Sequence, residues 1–133
     1  MTHVLVAVLV VCGAALGCGD DATAPSQGPL AISRWMGDGA CLAVTDEGCN
    51  LVAGCGHGVF SRPIVRGDGT FDVDGTYRIE VGPISIAPAP PAHFSGTIAG
   101  SQLRLTVTPS GTLPAASYAM TKTTTGTCLV PCL

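Results

Sequence analysis

The sequence is poor in charge and in aromatic rings. Charged residues make up 11% of its 133 positions and aromatic residues 5%, with a single Trp. Six Lys/Arg stand against nine Asp/Glu, and the basic residues do not cluster. A chain like this cannot build the positive patch that displaces counterions from nucleic acid, so DNA and RNA are excluded as partners. Apolar residues at helical spacing are missing too, which excludes a helical bundle. The catalytic and cofactor signatures are equally absent: there is no G-x-G-x-x-G, P-loop, G-x-S-x-G, H-E-x-x-H or C-x-x-C.

Abundance lies elsewhere, in Gly (18), Pro (10) and Cys (7). Gly and Pro with many Thr suit short strands joined by tight turns. Seven cysteines in one small chain point to an oxidising compartment.

The apolar run from Val4 to Gly17 is too short to cross a bilayer as a helix, which takes about 20 residues. It matches the hydrophobic core of a signal peptide. It ends in Ala15-Leu16-Gly17-Cys18, and this resembles the lipobox of bacterial lipoproteins. The resemblance implies a signal peptide over 1–17, a diacylglycerol on Cys18, and an address in the bacterial cell envelope, with a membrane as partner. An ordinary secretory signal is the alternative, leaving Cys18 a plain thiol. Residues 18–29 have no periodicity and read as a flexible tether, which leaves one domain over 30–133.

Residues 71–81, F-D-V-D-G-T-Y-R-I-E-V, alternate strictly. Phe71, Val73, Tyr77, Ile79 and Val81 share one face; Asp72, Asp74, Thr76, Arg78 and Glu80 share the other, the pattern of a half-buried antiparallel strand. Ala92, Phe94 and Ile98 point one way before an A-G-S turn, and Leu103, Leu105 and Val107 point inward after it, which predicts a hairpin. Further strands are expected around Trp35 and over 40–45, 50–53, 57–64, 115–121 and 127–132. The fold class is all-β: a meander of about eight strands closing into a small barrel, with a lipocalin-like or a sandwich-like form as alternatives. Residues 82–91 form a Pro-rich loop in which Ile84, Ile86, Pro88 and Pro90 are candidates for a binding lip; the alternative is that its apolar groups cap the barrel.

Cys55-Gly56-His57-Gly58 places a thiol near an imidazole, but no third group is evident to orient the ring as nucleophilic catalysis requires. Cys55, His57, Cys128 and Cys132 have the residue types of a zinc site without its spacing. The acidic run fails as a calcium loop: with Gly75 in sixth place, Thr70 and Val81 occupy the positions that need Asp and Glu. No cofactor, metal or enzymatic activity is expected.

The domain cysteines, Cys41, Cys49, Cys55, Cys128 and Cys132, are odd in number. In a closed meander the last strand returns beside the first. This brings Cys132 to the rim of Cys55 and Cys128 level with Cys41, predicting bridges Cys55–Cys132 and Cys41–Cys128. The alternative pairs Cys41 with Cys49. In the first scheme Cys49 is spare, open to a disulfide dimer.

The order G-D-G near Trp35, then C-x-H-G, D-G-x-F, G-x-Y, F-S-G-x-I-x-G, L-x-L-T-V and a terminal Cys132-Leu133 resembles a group of short, uncharacterised bacterial exported proteins and lipoproteins. The resemblance spans roughly Trp35 to Leu133 and implies architecture and address, with no activity attached. The sequence thus reads as a non-enzymatic, membrane-anchored binding module for an envelope protein or a small apolar ligand. An inert envelope component is the alternative, and a Cys/His-dependent enzyme a more distant one.

Overall fold

The computed structural model describes residues 27–80 and 87–128. These form ten strands and no helix: β1 (Gly28–Pro29), β2 (Ser33–Gly37), β3 (Ala40–Thr45), β4 (Gly48–Ala53), β5 (Gly56–Phe60), β6 (Ile64–Val65), β7 (Thr70–Ile79), β8 (Pro91–Ala99), β9 (Gln102–Pro109) and β10 (Ala116–Thr123). Eight of them close a barrel in the order β10-β2-β3-β4-β5-β7-β8-β9, every neighbouring pair antiparallel. The sandwich alternative is thereby set aside. The two short strands β1 and β6 pair with each other beside the barrel.

Strict alternation produces this closure. Residues of one parity point inward, and on β9 Leu103, Leu105 and Val107 are at most 1% exposed while Arg104 and Thr108 face solvent. Turn chemistry sets the register. Asp38 and Gly39 join β2 to β3 with φ of 52° and 72°. Two positive φ values in a two-residue hairpin match the strand twist, and Asp and Gly are the residues that tolerate them. The Asp38 carboxylate also accepts the Ala119 backbone N–H at 2.8 Å, tying this turn to the seam where β10 meets β2.

The interior is filled. Phe60 and Phe94 stack with ring centroids 4.3 Å apart. Phe71, Leu42, Leu51, Leu103, Leu105 and Met120 close round them, each less than 2% exposed, and no polar or charged side chain is buried among the described residues. Burying a side chain of this size contributes about 1.5–3 kcal/mol. Rings need room, and glycine supplies it: Gly96 lies directly opposite Phe71, and a Cβ there would collide with the ring. A Cβ at Gly58 would fall 2.9 Å from Cε1 of Phe94. Trp35, 3% exposed, donates its indole N–H to Ser33 Oγ at 2.9 Å, so its polar edge is satisfied.

Several expectations are corrected. The stretch 57–64 is two strands, because Pro63 interrupts the ladder; β5 ends at Phe60 and β6 turns away to pair with β1. β4 starts at Gly48 rather than at 50, and β8 takes in Pro91 from the expected loop. Gly28 and Pro29 belong to the fold through β1, earlier than the expected boundary at Leu30. Ile79 keeps the inward parity of Phe71 but is 43% exposed, because at the strand end the inner face opens to solvent. Thr127 and Cys128 lie in no strand, and 129–133 fall outside the described residues; the barrel is closed by β10 on β2 instead.

The barrel has two rims. The upper rim carries the turn at Asp38 and Gly39, the turn at Gly54 and Cys55, the described ends of the β7–β8 connection and the β9–β10 loop. The lower rim carries the turn at Asp46 and Glu47, the link between β5 and β7, and the turn at Gly100 and Ser101.

Candidate functional site: the upper rim and the outer face

At the upper rim the turn after β4 sets Cys55 beside the end of β7, where the Glu80 N–H donates to the Cys55 carbonyl at 2.8 Å. His57 pairs across the sheet with Val52 and Arg78. Its Nδ1 lies 3.6 Å from Glu80 Oε1, a solvent-exposed contact of the kind that contributes at most about 1 kcal/mol. Cys55 is engaged in a disulfide. Cys132 lies outside the described residues, and with it the expected Cys55–Cys132 pairing. A sulfur in a disulfide supplies no thiolate, so the Cys55/His57 pair lacks the nucleophile that catalysis would need.

The Pro-rich loop is described in part. Ile84 and Ile86 lie outside the described residues. Pro88 and Pro90 are exposed, and the Pro90 carbonyl accepts the Tyr77 backbone N–H at 2.9 Å. The Arg78 guanidinium donates to the Ala87 carbonyl, which fixes the loop's described end to β7. Inside the rim, the Tyr77 phenol occupies the space a Cβ at Gly56 would need. Burial, reinforced by the neighbouring Tyr118, pushes its pKa up to about 12. The barrel mouth is thus plugged by a ring that stays protonated.

On the outer face of β2 and β3, the chain after β10 doubles back. Arg34 Nη1 donates to the Gly126 carbonyl, and Cys128 is bridged to Cys41 with their Cα atoms 5.5 Å apart. The expected Cys41–Cys128 pair is therefore present, and the Cys41–Cys49 alternative is not. Met36 and Cys41 are direct cross-strand partners. With Gly37, Ala40, Val52 and Thr127 they line a cleft of about 230 Å³ at the edge of this strap.

A wider groove of about 420 Å³ crosses β4, β5 and β7, lined by Glu47, Asn50, Val59, Ser61, Asp74 and Thr76 among others. It sits where β7 runs on past the end of β5, so residues 70–74 have β8 on one side and no β5 partner on the other. Cys49 borders this groove through its backbone neighbourhood, but its residue is 0% exposed and it is free. Burial pushes its thiol up to about 11 despite the nearby Arg62. Its sulfur belongs to the core, so a Cys49 bond between two chains would require the barrel to open.

The sequence reading missed one outward cluster. His93 lies directly across from Asp74, and its Nδ1 is 2.8 Å from Asp74 Oδ1; its Nε2 is 3.8 Å from Asp72. Arg66 binds the other Asp72 oxygen. That hydrogen bond, together with the guanidinium charge, holds the Asp72 carboxyl below the usual carboxylate range. The Thr70 hydroxyl and amide do the same for Asp68 at 2.6 and 3.0 Å. Alternation shows the acids facing outward, but only the β7–β8 register reveals His93 between them. Among the described residues, no three His, Cys, Asp or Glu side chains converge in a metal-holding group.

No protein-family model, curated protein or solved structure matches the chain.

Proposed function

We propose that this chain is a lipid-anchored bacterial envelope protein that works by recognition rather than catalysis. Its partner is another envelope protein, met by the outer face and upper rim. The observation that carries this reading is the filled interior: Phe60, Phe71, Phe94, Tyr77 and the surrounding leucines occupy the barrel that an apolar cargo would need. Ligand pockets of about 300–1,000 Å³ bury most of a small molecule's surface, and both clefts described above are open grooves on the outer side. Recognition of a small apolar ligand inside the barrel is therefore the weaker form of the proposal.

The address rests on the sequence, with structural support from the cysteines. Cys41, Cys128 and Cys55 are all in disulfides, which persist in exported proteins and are reduced in most cytosols. Anchoring follows from the lipobox-like Ala15-Leu16-Gly17-Cys18. Two acyl chains on Cys18 would hold the protein stably, since each buried CH₂ contributes about 0.8 kcal/mol.

The test is a native, unreduced mass spectrum of the protein extracted from its own membranes, followed by cross-linking in intact cells. The expected mass begins at a diacylated Cys18 and carries no small molecule, and one envelope protein is captured reproducibly. A bound apolar molecule in stoichiometric amount would replace recognition by carriage. A mass without the diacylglycerol would remove the anchor.

A further inference from the structure

We propose that the lower rim carries a foot that rests on the bilayer surface, formed by Pro29, Ile32 and Ile64; this rests on the lipid anchor at Cys18 argued above. Among the described residues, Ile64 and Ile32 are 62% and 58% exposed, while the other exposed large apolar side chains, Met36, Val59, Ile79 and Leu113, range from 37% to 46%. The two most exposed therefore both sit at the lower rim. Pro29 and Ile64 are direct partners in the β1–β6 pair and are both exposed. Direct cross-strand neighbours stand about 5 Å apart at Cβ, so the two form one continuous apolar surface. The opposite side of the small sheet is buried through Val65, 4% exposed, next to Leu30 at 3%. The sheet thus uses one face for the core and leaves the other bare.

The chain outside the described residues says what covers that bare face. The described residues begin at Gln27, directly before β1, and Cys18 stands about nine positions upstream in the sequence. An extended segment of this length reaches at most about 35 Å, so the rim bearing β1 is held near the headgroups. The charges of this rim are balanced and draw it to no anionic surface. Arg62 is paired with Asp46 at 3.7 Å and Arg66 with Asp72, while Asp68 and Glu47 offset Arg34 and Lys122 near the lower ends of β2 and β10. Contact through isoleucine and proline is accordingly salt-insensitive and indifferent to anionic lipid.

The experiment uses the full lipidated chain carrying Ile64→Trp, in phosphatidylcholine vesicles with brominated acyl chains. Leu113→Trp, in the β9–β10 loop of the opposite rim, is the control, and Ile32→Trp serves as a second position should Ile64→Trp fold poorly. Bromine should quench the emission added at position 64 and leave that added at 113 unchanged. Equal, unquenched emission at both positions in vesicle-bound protein overturns the foot and leaves the anchor standing. A blue-shifted but unquenched signal at 64 also overturns it, because another protein or the chain's own N-terminal segment then covers the patch. A protein that carries no diacylglycerol and does not sediment with vesicles overturns foot and anchor together.

Discussion

Phe71 lies directly across from Gly96 in the β7–β8 register, and its ring fills the space that any side chain at position 96 would enter. Phe71 is 1% exposed, so the ring has no solvent to retreat into. The same economy of space recurs where Gly58 abuts Phe94, and it explains how a narrow barrel holds so many rings.

Gly96→Val should therefore lower stability despite valine's preference for strands. Overpacking of a dense core costs about 1–3 kcal/mol. Adding Phe71→Leu to the same chain should recover part of the loss, since the two residues are in contact and their effects are not additive. Urea unfolding of both single variants and the double variant measures this; a neutral Gly96→Val would place the ring elsewhere.

The seam between β10 and β2 depends on Asp38. Its carboxylate takes the Ala119 N–H at 2.8 Å and its backbone sits at φ 52°. Asp38→Ala loses the hydrogen bond and places a residue poorly suited to that conformation there, an expected cost of about 1–2 kcal/mol. Asp38→Asn keeps an acceptor and tolerates the conformation, so it should cost distinctly less. Thermal melts of the two variants rank them.

The Cys41–Cys128 bridge closes a loop with a sequence separation of 87. In the chain-entropy model, a loop of this size corresponds to about 4–5 kcal/mol. Replacing both cysteines by alanine should reduce stability by up to that amount. It should also speed the oxidation of Met36, whose sulfur lies beside Gly126 of the strap although the residue is already 37% exposed, because the strap after β10 would no longer be held to the outer face. Peptide mapping after mild peroxide treatment reports on the second effect.

Cys49 should be inert in the native protein. Its residue is 0% exposed, and burial has pushed the thiol up to about 11, so almost no thiolate exists at neutral pH. Alkylation at pH 8 should leave Cys49 unmodified until denaturant is added, when mass mapping should find it labelled. Labelling in the native state would contradict its place in the core.

Tyr77 gives the protein an alkaline limit. Its folded pKa is raised to about 12, above an unfolded value of about 10. A raised pKa means that the contribution is complete below the unfolded value and is lost as pH rises through the folded one. Stability should fall between pH 10 and about 12, and Tyr77→Phe should flatten that fall. At the acid end the sign reverses. The lowered carboxyls of Asp68 and Asp72 contribute above their unfolded pKa, and this is lost as pH drops through their folded values. Both carboxyls are exposed, so the acid effect should be small beside the alkaline one.

The legibility of this fold varies with the range of the interaction. β7, β8 and β9 can be read from alternation because a period of two is a local property, and the expected strand over 40–45 coincides with β3, which the Asp46-Glu47-Gly48 turn ends. Pro63 was also visible, yet its effect was not: only the arrival of β1 as a partner shows that Ile64 and Val65 leave the barrel. His93 was invisible as part of a site for the same reason. Its neighbours Asp72 and Asp74 are remote in sequence and meet it through register alone.

The sequence by itself determined the all-β class, the inward and outward parity of most strands and the hairpin between β8 and β9, because these follow from side-chain alternation and turn chemistry; it left Cys41 a choice between Cys128 and Cys49, which the strap after β10 decides. Tertiary structure decided what closes the meander, which thiol is left over, and whether the barrel is hollow. These depend on how rings from distant strands share one interior. Phe60 against Phe94, Phe71 over Gly96 and Tyr77 at the mouth leave that interior full, and place whatever the protein recognises on its outside.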